Sequence, residues 1–303
     1  MQERLGKVVL VPRLADVVAA AERLYPLWLA ESWDAVGLVC GDPDADVRRV
    51  LFAVDPTTSV ADEAIGWNAD LLVTHHPLFL RPVNGVPATL PKGRVIHRLI
   101  TKGVGLLVAH TNADRADPGV NDALATALGL GDLRPLVPMA PDAPGATAGI
   151  GLGRIGSLPA AETLTAFVAR VAAALPATAS GVRATGDPEA LIRTVAVCGG
   201  AGDSLLDIVR EAGVDAYVTA DLRHHPASEA GEAGGPALVD VAHWASEWPW
   251  LEQAAARLVA ELGERGITVE TRVSVRPTDP WTMHESSREP GETAADEGSS
   301  PER

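Results

Sequence analysis

A chain of 303 residues can hold a substantial core and two lobes, and 47% hydrophobic with 21% charged residues is the composition of an ordinary globular protein. The net charge of −15, of which about −11 remains without the acidic stretch from Arg276 onward, argues against a protein built to grip nucleic-acid phosphates. Two cysteines, Cys40 and Cys198, exclude a disulfide framework and a thiolate metal motif, and both read as small buried hydrophobes.

Residues 1–13 lack the features of a signal peptide, and no apolar run has the length of a membrane span, so a cytoplasmic location is the expectation. Leu14 to Ala30 has helical periodicity through Val17, Val18, Ala21, Leu24 and Leu27, shortened or bent at Pro26. In the polar loop that follows, Trp33-Asp34 reads as packing and a turn cap. Val50 to Val54 predicts a strand, Asp55-Pro56-Thr57-Thr58 a turn with N-cap residues, and Ser59 to Trp67 a helix.

The run Leu71 to Val73 then ends in Thr74-His75-His76-Pro77, the pattern by which a buried parallel strand delivers polar groups to the end of a sheet. Neighbouring strand residues point to opposite faces, so two adjacent histidines serve one site only where the pleat breaks down. By itself such a pair reads more readily as a satisfied core histidine beside an exposed one. Gly93 to Lys102 predicts a helix, and Gly105 to Ala109 a strand that also ends in a histidine, His110. This alternation predicts parallel pairing, right-handed crossovers and ligand groups at the carboxyl ends of strands.

From Leu133 to Thr147 there are several prolines, a glycine and little periodic pattern, and 133–147 reads as a linker between an N-terminal lobe (1–132) and a C-terminal lobe (148–275). The second lobe has a helix at 161–174, a strand at 194–197, a glycine turn at 198–202 and a helix near 205–212. The glycine turn is either an anion cradle or plain strand-to-helix geometry. Residues 276–303, rich in Pro, Ser, Glu and Asp, are expected to be a disordered, dispensable tail.

The lobes look duplicated. Asn68 to His76 aligns with Gly213 to Asp221, sharing Asp, Val and Thr, and Val108-Ala109-His110 aligns with Val241-Ala242-His243. His-x-x-x-Asp at His110 to Asp114 answers His-x-x-x-Glu at His243 to Glu247. The expected fold is therefore α/β, with two similar lobes whose strand ends converge on a shared cleft. There His75, His76, Asp114, His243 and Glu247 offer imidazole and carboxylate, a donor set for two divalent ions among Zn, Mn, Fe, Co and Ni. A Glu has two oxygens, and Glu247 is the expected bridge, near a helix start with Ser246 as cap and Pro249 in the first turn. The expected pairing sets His75 with His243 and His76 with Asp114.

From Leu14 to about Val275 the chain resembles the GTP cyclohydrolase 1 type 2 homologues, also called Nif-three-like dinuclear-metal-centre hexameric proteins. The motifs are Ser32-Trp33-Asp34-Ala35-Val36-Gly37, Thr74-His75-His76-Pro77, His110-Thr111-Asn112-Ala113-Asp114, Pro118-Gly119-Val120-Asn121-Asp122-Ala123-Leu124, Cys198-Gly199-Gly200 and His243-x-x-x-Glu247. The resemblance implies two divalent metals on the same five residues, with Glu247 serving both, and a homohexamer. Ala35 stands where the family has Asn, and Pro226 where it has Asp. His225 matches a family histidine and is the candidate catalytic acid or base, with a surface role as its alternative. His110 is expected to orient Asp114, and His97 and His284 to lie on the surface and in the tail.

The function expected is that of a dinuclear metal-dependent hydrolase acting on a small molecule, and the resemblance implies a nucleotide, GTP, as that substrate. The alternative is a metal-stabilised oligomeric scaffold without catalysis. Neither nucleic acid nor membrane is an expected partner.

Overall fold

The computed structural model describes residues 11–143, 145 and 147–285. The first half runs α1 (Leu14–Leu24), β1 (Gly37–Cys40), β2 (Arg49–Ala53), α2 (Thr58–Gly66), β3 (Leu71–Thr74), α3 (Pro91–Thr101), β4 (Gly105–Val108), α4 (Thr111–Arg115) and α5 (Val120–Ala127). The second runs β5 (Gly131–Pro138), β6 (Gly151–Thr163), α6 (Leu164–Ala174), β7 (Arg183–Ala184), β8 (Leu191–Ala201), α7 (Leu206–Ala212), β9 (Ala216–Ala220), α8 (His224–Glu232), β10 (Ala237–Val241), α9 (His243–Gly263) and β11 (Glu270–Val273).

These strands form two sheets, β1-β4-β3-β2-β11 and β5-β6-β8-β9-β10-β7. Read backwards, the second contains β7-β10-β9-β8, the same arrangement as β1-β4-β3-β2. In each, three parallel strands carry one antiparallel edge strand. The duplication inferred from aligned residues is thus a duplication of topology. It extends to atoms: Asp70 Oδ2 accepts from the backbone N–H groups of Arg48 and Arg49, and Asp215 Oδ2 from those of Arg193 and Thr194. Asn68 and Gly213, which precede them, both have left-handed backbone, with φ of 55° and 65°.

Two expectations about the lobes need correction. The first six of the fifteen residues of the expected linker, 133–138, are strand: β5 pairs antiparallel with β6 in the second sheet. Its two prolines, Pro135 and Pro138, are tolerated because β5 is an edge strand. At the other end β11 lies parallel to β2, so the last strand of the expected C-terminal lobe completes the first sheet.

The core follows strand alternation. Leu71 and Val73 of β3 point into an inner core, while Leu72 between them belongs to an outer cluster with α2 and α3. In β8, Val195 and Val197 likewise face the inner core, and Ala196 and Cys198 an outer one beside Val209 of α7. Strands covered on both faces read as continuous apolar runs, which is how both were recognisable. The inner core is shared by the two sheets, with α1, α5 and α9 between them. Helix α9 buries Trp250, Ala254, Leu258 and Leu262 at four-residue spacing, and each large apolar side chain so buried contributes about 1.5–3 kcal/mol. Cys198 is buried in its outer cluster as expected, and that burial pushes its thiol up to about 12.

Candidate metal centre

Strand β3 ends at Thr74, yet the next two backbone N–H groups still donate across to β2, His75 to Ala53 O at 3.2 Å and His76 to Val54 O at 2.9 Å. The pleat is lost there, and the two imidazoles end side by side with ring centroids 5.0 Å apart. His75 is buried against Trp250, while His76 is partly open. Asp114 comes from the short helix α4, beyond β4. From the other lobe, α9 supplies His243 and, one turn later, Glu247.

Each histidine ring is held at Nδ1. His75 donates to Ala109 O at 2.9 Å, His76 to Asp55 Oδ1 at 2.7 Å, and His243 to Asp221 Oδ2 at 2.7 Å. With the proton on Nδ1, a neutral ring presents a lone pair at Nε2. Those lone pairs converge on one buried carboxylate. Nε2 of His76 lies 3.1 Å from Glu247 Oε2, Nε2 of His243 lies 3.0 Å from Oε1, and Nε2 of His75 lies 3.4 Å from Oε1. Nε2 of His75 is also 3.7 Å from Asp114 Oδ1.

Glu247 is only 3% exposed, and its Oε2 is buried without a hydrogen-bond partner among the described residues. Lone pairs facing a buried carboxylate at about 3 Å repel unless a positive charge lies among them. Protons are one source of that charge: burial alone would push the imidazoles down, but Glu247 outweighs it, raising His75 and His76 and holding His243 at about 9. Burial also works to raise Glu247, yet the three imidazoles keep its carboxyl well below the usual range. Asp114 goes the other way, raised chiefly by burial. Divalent cations are the other source, and the donor set fits them: imidazole nitrogen and carboxylate oxygen, with each ring oriented by an outer partner.

The backbone leaves room for this cluster. Gly200 has φ of +70°, and a Cβ there would meet Glu247 Oε1 at 2.7 Å and His243 Nε2 at 3.1 Å. Glycine is required on both counts. The expected glycine turn is not an anion cradle, because β8 runs on to Ala201 and the N–H groups of Gly199 and Gly200 are taken by Asn121 Oδ1 and Ser246 Oγ. Ser246 is correspondingly not the cap of α9. That helix starts at His243 with Ala242 as N-cap, so Glu247 and Pro249 lie inside it.

All five expected ligands come together: His76 and His243 face the two oxygens of Glu247, and His75 lies between Glu247 Oε1 and Asp114 Oδ1. A sixth group joins them. His110 places a ring nitrogen within 4.8 Å of those of His75 and His76, and its Nδ1 donates to Asp34 Oδ1 at 2.8 Å. Its expected role toward Asp114 is not what its Nδ1 hydrogen bond serves. Burial would raise Asp34, but hydrogen bonds from His110 and Thr111 outweigh it and hold the carboxyl well below the usual range. His225 is exposed on α8, its ring edge-on to His224. His97 is exposed as expected. The partners that sequence reading missed, Asp34 and Asp55, sit where turn residues are common; the signal for Asp55 was its place directly after a strand.

A cavity of about 920 Å³ opens over the centre, with His76, His243, Asp55 and Asp221 among its lining residues. Residues 278–281, 283 and 284, in the stretch expected to be tail, also line it; residues 286–303 lie outside the described part. Among the described residues no helix is long and apolar enough to cross a membrane.

The chain is 56% identical over 277 residues to a Streptomyces coelicolor protein named GTP cyclohydrolase 1 type 2 homolog, covering 91% of this chain and 96% of that one. A Mycobacterium tuberculosis protein of the same name is 41% identical, over 91% of this chain and 99% of its own. In structure it is similar to a Bacillus cereus protein related to NIF3, with a TM-score of 0.84 at 25% identity over 91% of this chain and all of that one. A Staphylococcus aureus hypothetical protein has a TM-score of 0.82 at 28% identity, over 90% of this chain and 100% of that one. Residues 12–280 match the family described as Duf34/NIF3 (NGG1p interacting factor 3), and the chain belongs to that family.

Proposed function

We propose that the protein is a metal-dependent hydrolase in which His75, His76, Asp114, His243 and Glu247 hold two divalent ions, Glu247 serving both. The observation that carries this reading is the buried Oε2 of Glu247, without a hydrogen-bond partner among three convergent Nε2 atoms. When bound, the ions supply Lewis acidity toward an electrophilic carbon or phosphorus and favour ionisation of water at neutral pH. The chain supplies the rest. Ala109 O, Asp55 and Asp221 fix the rings through Nδ1, and Glu247 ties the two lobes together at its carboxylate. The cavity over His76 and His243 has the size of a small-molecule site.

The name shared by the relatives makes GTP the first substrate to assay, followed by cyclic amides and phosphate esters. The protein is proposed to work as a homo-oligomer, a hexamer on the resemblance noted above. The test is turnover by metal-loaded wild type and Glu247→Gln. Activity in wild type that is lost in a variant of unchanged oligomer size supports the hydrolase. No turnover across the three substrate classes, with an oligomer that dissolves in Glu247→Gln, would replace it with the scaffold reading.

A further inference from the structure

After β11 the chain stays attached to the body of the protein. Ser274 is 2% exposed; its N–H donates to Phe52 O at 2.8 Å, its hydroxyl to Glu63 Oε2 on α2 at 2.7 Å, and its carbonyl accepts from Trp248 Nε1 on α9 at 3.0 Å. From this anchor the chain reaches the cavity over the metal centre, where Thr278, Asp279 and Trp281 are among the lining residues. The Thr278 hydroxyl donates to Asp55 Oδ2. The other oxygen of that carboxylate, Oδ1, accepts from Nδ1 of His76 at 2.7 Å. One carboxylate thus couples a residue near the end of the described chain to a ligand of the centre.

We propose that residues 276–284 are a working part of the metal centre and that Thr278 is a positioning residue, holding Asp55 in the orientation that directs Nε2 of His76 at Glu247. The inference rests on the metal-centre reading above. His76 depends on such support more than His75 does. The ring of His75 is buried at 1% exposure and held by a main-chain carbonyl, which cannot swing away. His76 is 22% exposed, and its partner is a side chain, itself 26% exposed, in a turn after β2. Without the Thr278 hydroxyl, the Asp55 carboxylate is free to rotate toward solvent, and the ring it holds gains the same freedom.

The test is a Co²⁺ titration of the full-length protein, followed by the visible d–d absorption of the ion, for wild type, Thr278→Val and Thr278→Ser. Valine keeps the shape and removes the hydroxyl; serine keeps the hydroxyl. Thr278→Val is expected to weaken one of the two ions severalfold, with an altered absorption band, a smaller effect than the roughly 10–100-fold typical of losing the outer partner of a metal histidine, because Asp55 itself remains. Thr278→Ser is expected to restore both affinity and spectrum, and the melting temperature of metal-free Thr278→Val to equal that of wild type. Wild-type affinity and spectrum in Thr278→Val overturn the proposal, as does a Thr278→Ser variant as weak as the valine. Should Thr278→Val melt lower, its spectrum at a temperature where it is fully folded decides by the same criterion. Wild-type protein that takes up no Co²⁺ overturns the metal-centre reading itself, a result distinct from any difference between variants.

Discussion

Nε2 of His243 stands 3.0 Å from Oε1 of Glu247, one turn further along α9. A helix places residues four apart on the same face, so a single rigid element presents both groups of the second lobe to the histidines of the first. The position of α9 is set by its packing in the core between the sheets, and the geometry of the centre is therefore a consequence of that core.

Gly200→Ala tests whether the backbone beside the centre is as tight as it looks. A Cβ at this position enters the space of Glu247 Oε1, and the residue has positive φ. The variant is expected to be destabilised by about 1–3 kcal/mol in urea unfolding and to lose metal affinity in the same chelator-competition assay that measures the wild type. Unchanged affinity would mean that Glu247 can shift without consequence.

Arg154, 2% exposed, is the keystone of a second buried polar cluster. It makes a two-point contact with Asp122, Nε to Oδ1 and Nη2 to Oδ2, both at 2.7 Å, and donates to the carbonyls of Gly151, Gly153 and Ala116. Asp122 also accepts from Gly119 N at the start of α5. Asp122→Ala leaves a buried guanidinium without its counter-charge and is expected to cost about 3–5 kcal/mol in chemical denaturation. A cost below 1 kcal/mol would show that water reaches the site.

Asp215 sets a pH dependence away from the metal centre. Burial works to raise its carboxyl, but hydrogen bonds from the Thr194 N–H and hydroxyl and the Arg193 N–H outweigh that and lower it. A lowered folded-state pKa means that the unfolded chain binds the proton more tightly. The contribution is thus complete above the unfolded carboxylate value of about 4 and is lost as pH falls through the folded one. Asp215→Ala is expected to lower stability at pH 7 by about 1–3 kcal/mol and to flatten the acid limb of the stability curve. An acid limb as steep as that of the wild type would contradict the assignment.

The strand-end histidines were legible only in combination: His75-His76 alone suits a satisfied core histidine beside an exposed one, and the recurrence of Val-Ala-His in the second half, with the motifs around it, turned the pair into a site. What stayed hidden has physical reasons. β5 carries prolines that only an edge strand tolerates, so it read as linker. β11 is a short edge strand with no buried residue, whose pairing with β2 depends on where α9 returns the chain. Pro249 suggested a first helical turn, whereas packing carries α9 back through it to His243. Asp34 and Asp55 look like turn residues, and only the folded chain brings them to the Nδ1 atoms that they hold.

Metal content per chain by mass spectrometry, for wild type and Glu247→Ala with melting temperature taken on the same samples, decides whether ions join Glu247 to its histidines. About two divalent ions are expected in wild type after loading with Zn²⁺, Mn²⁺ or Co²⁺, and their loss in a variant that remains folded. No stoichiometric metal in the wild type, even after reloading, would contradict this expectation and leave protons as the charge that joins Glu247 to its histidines.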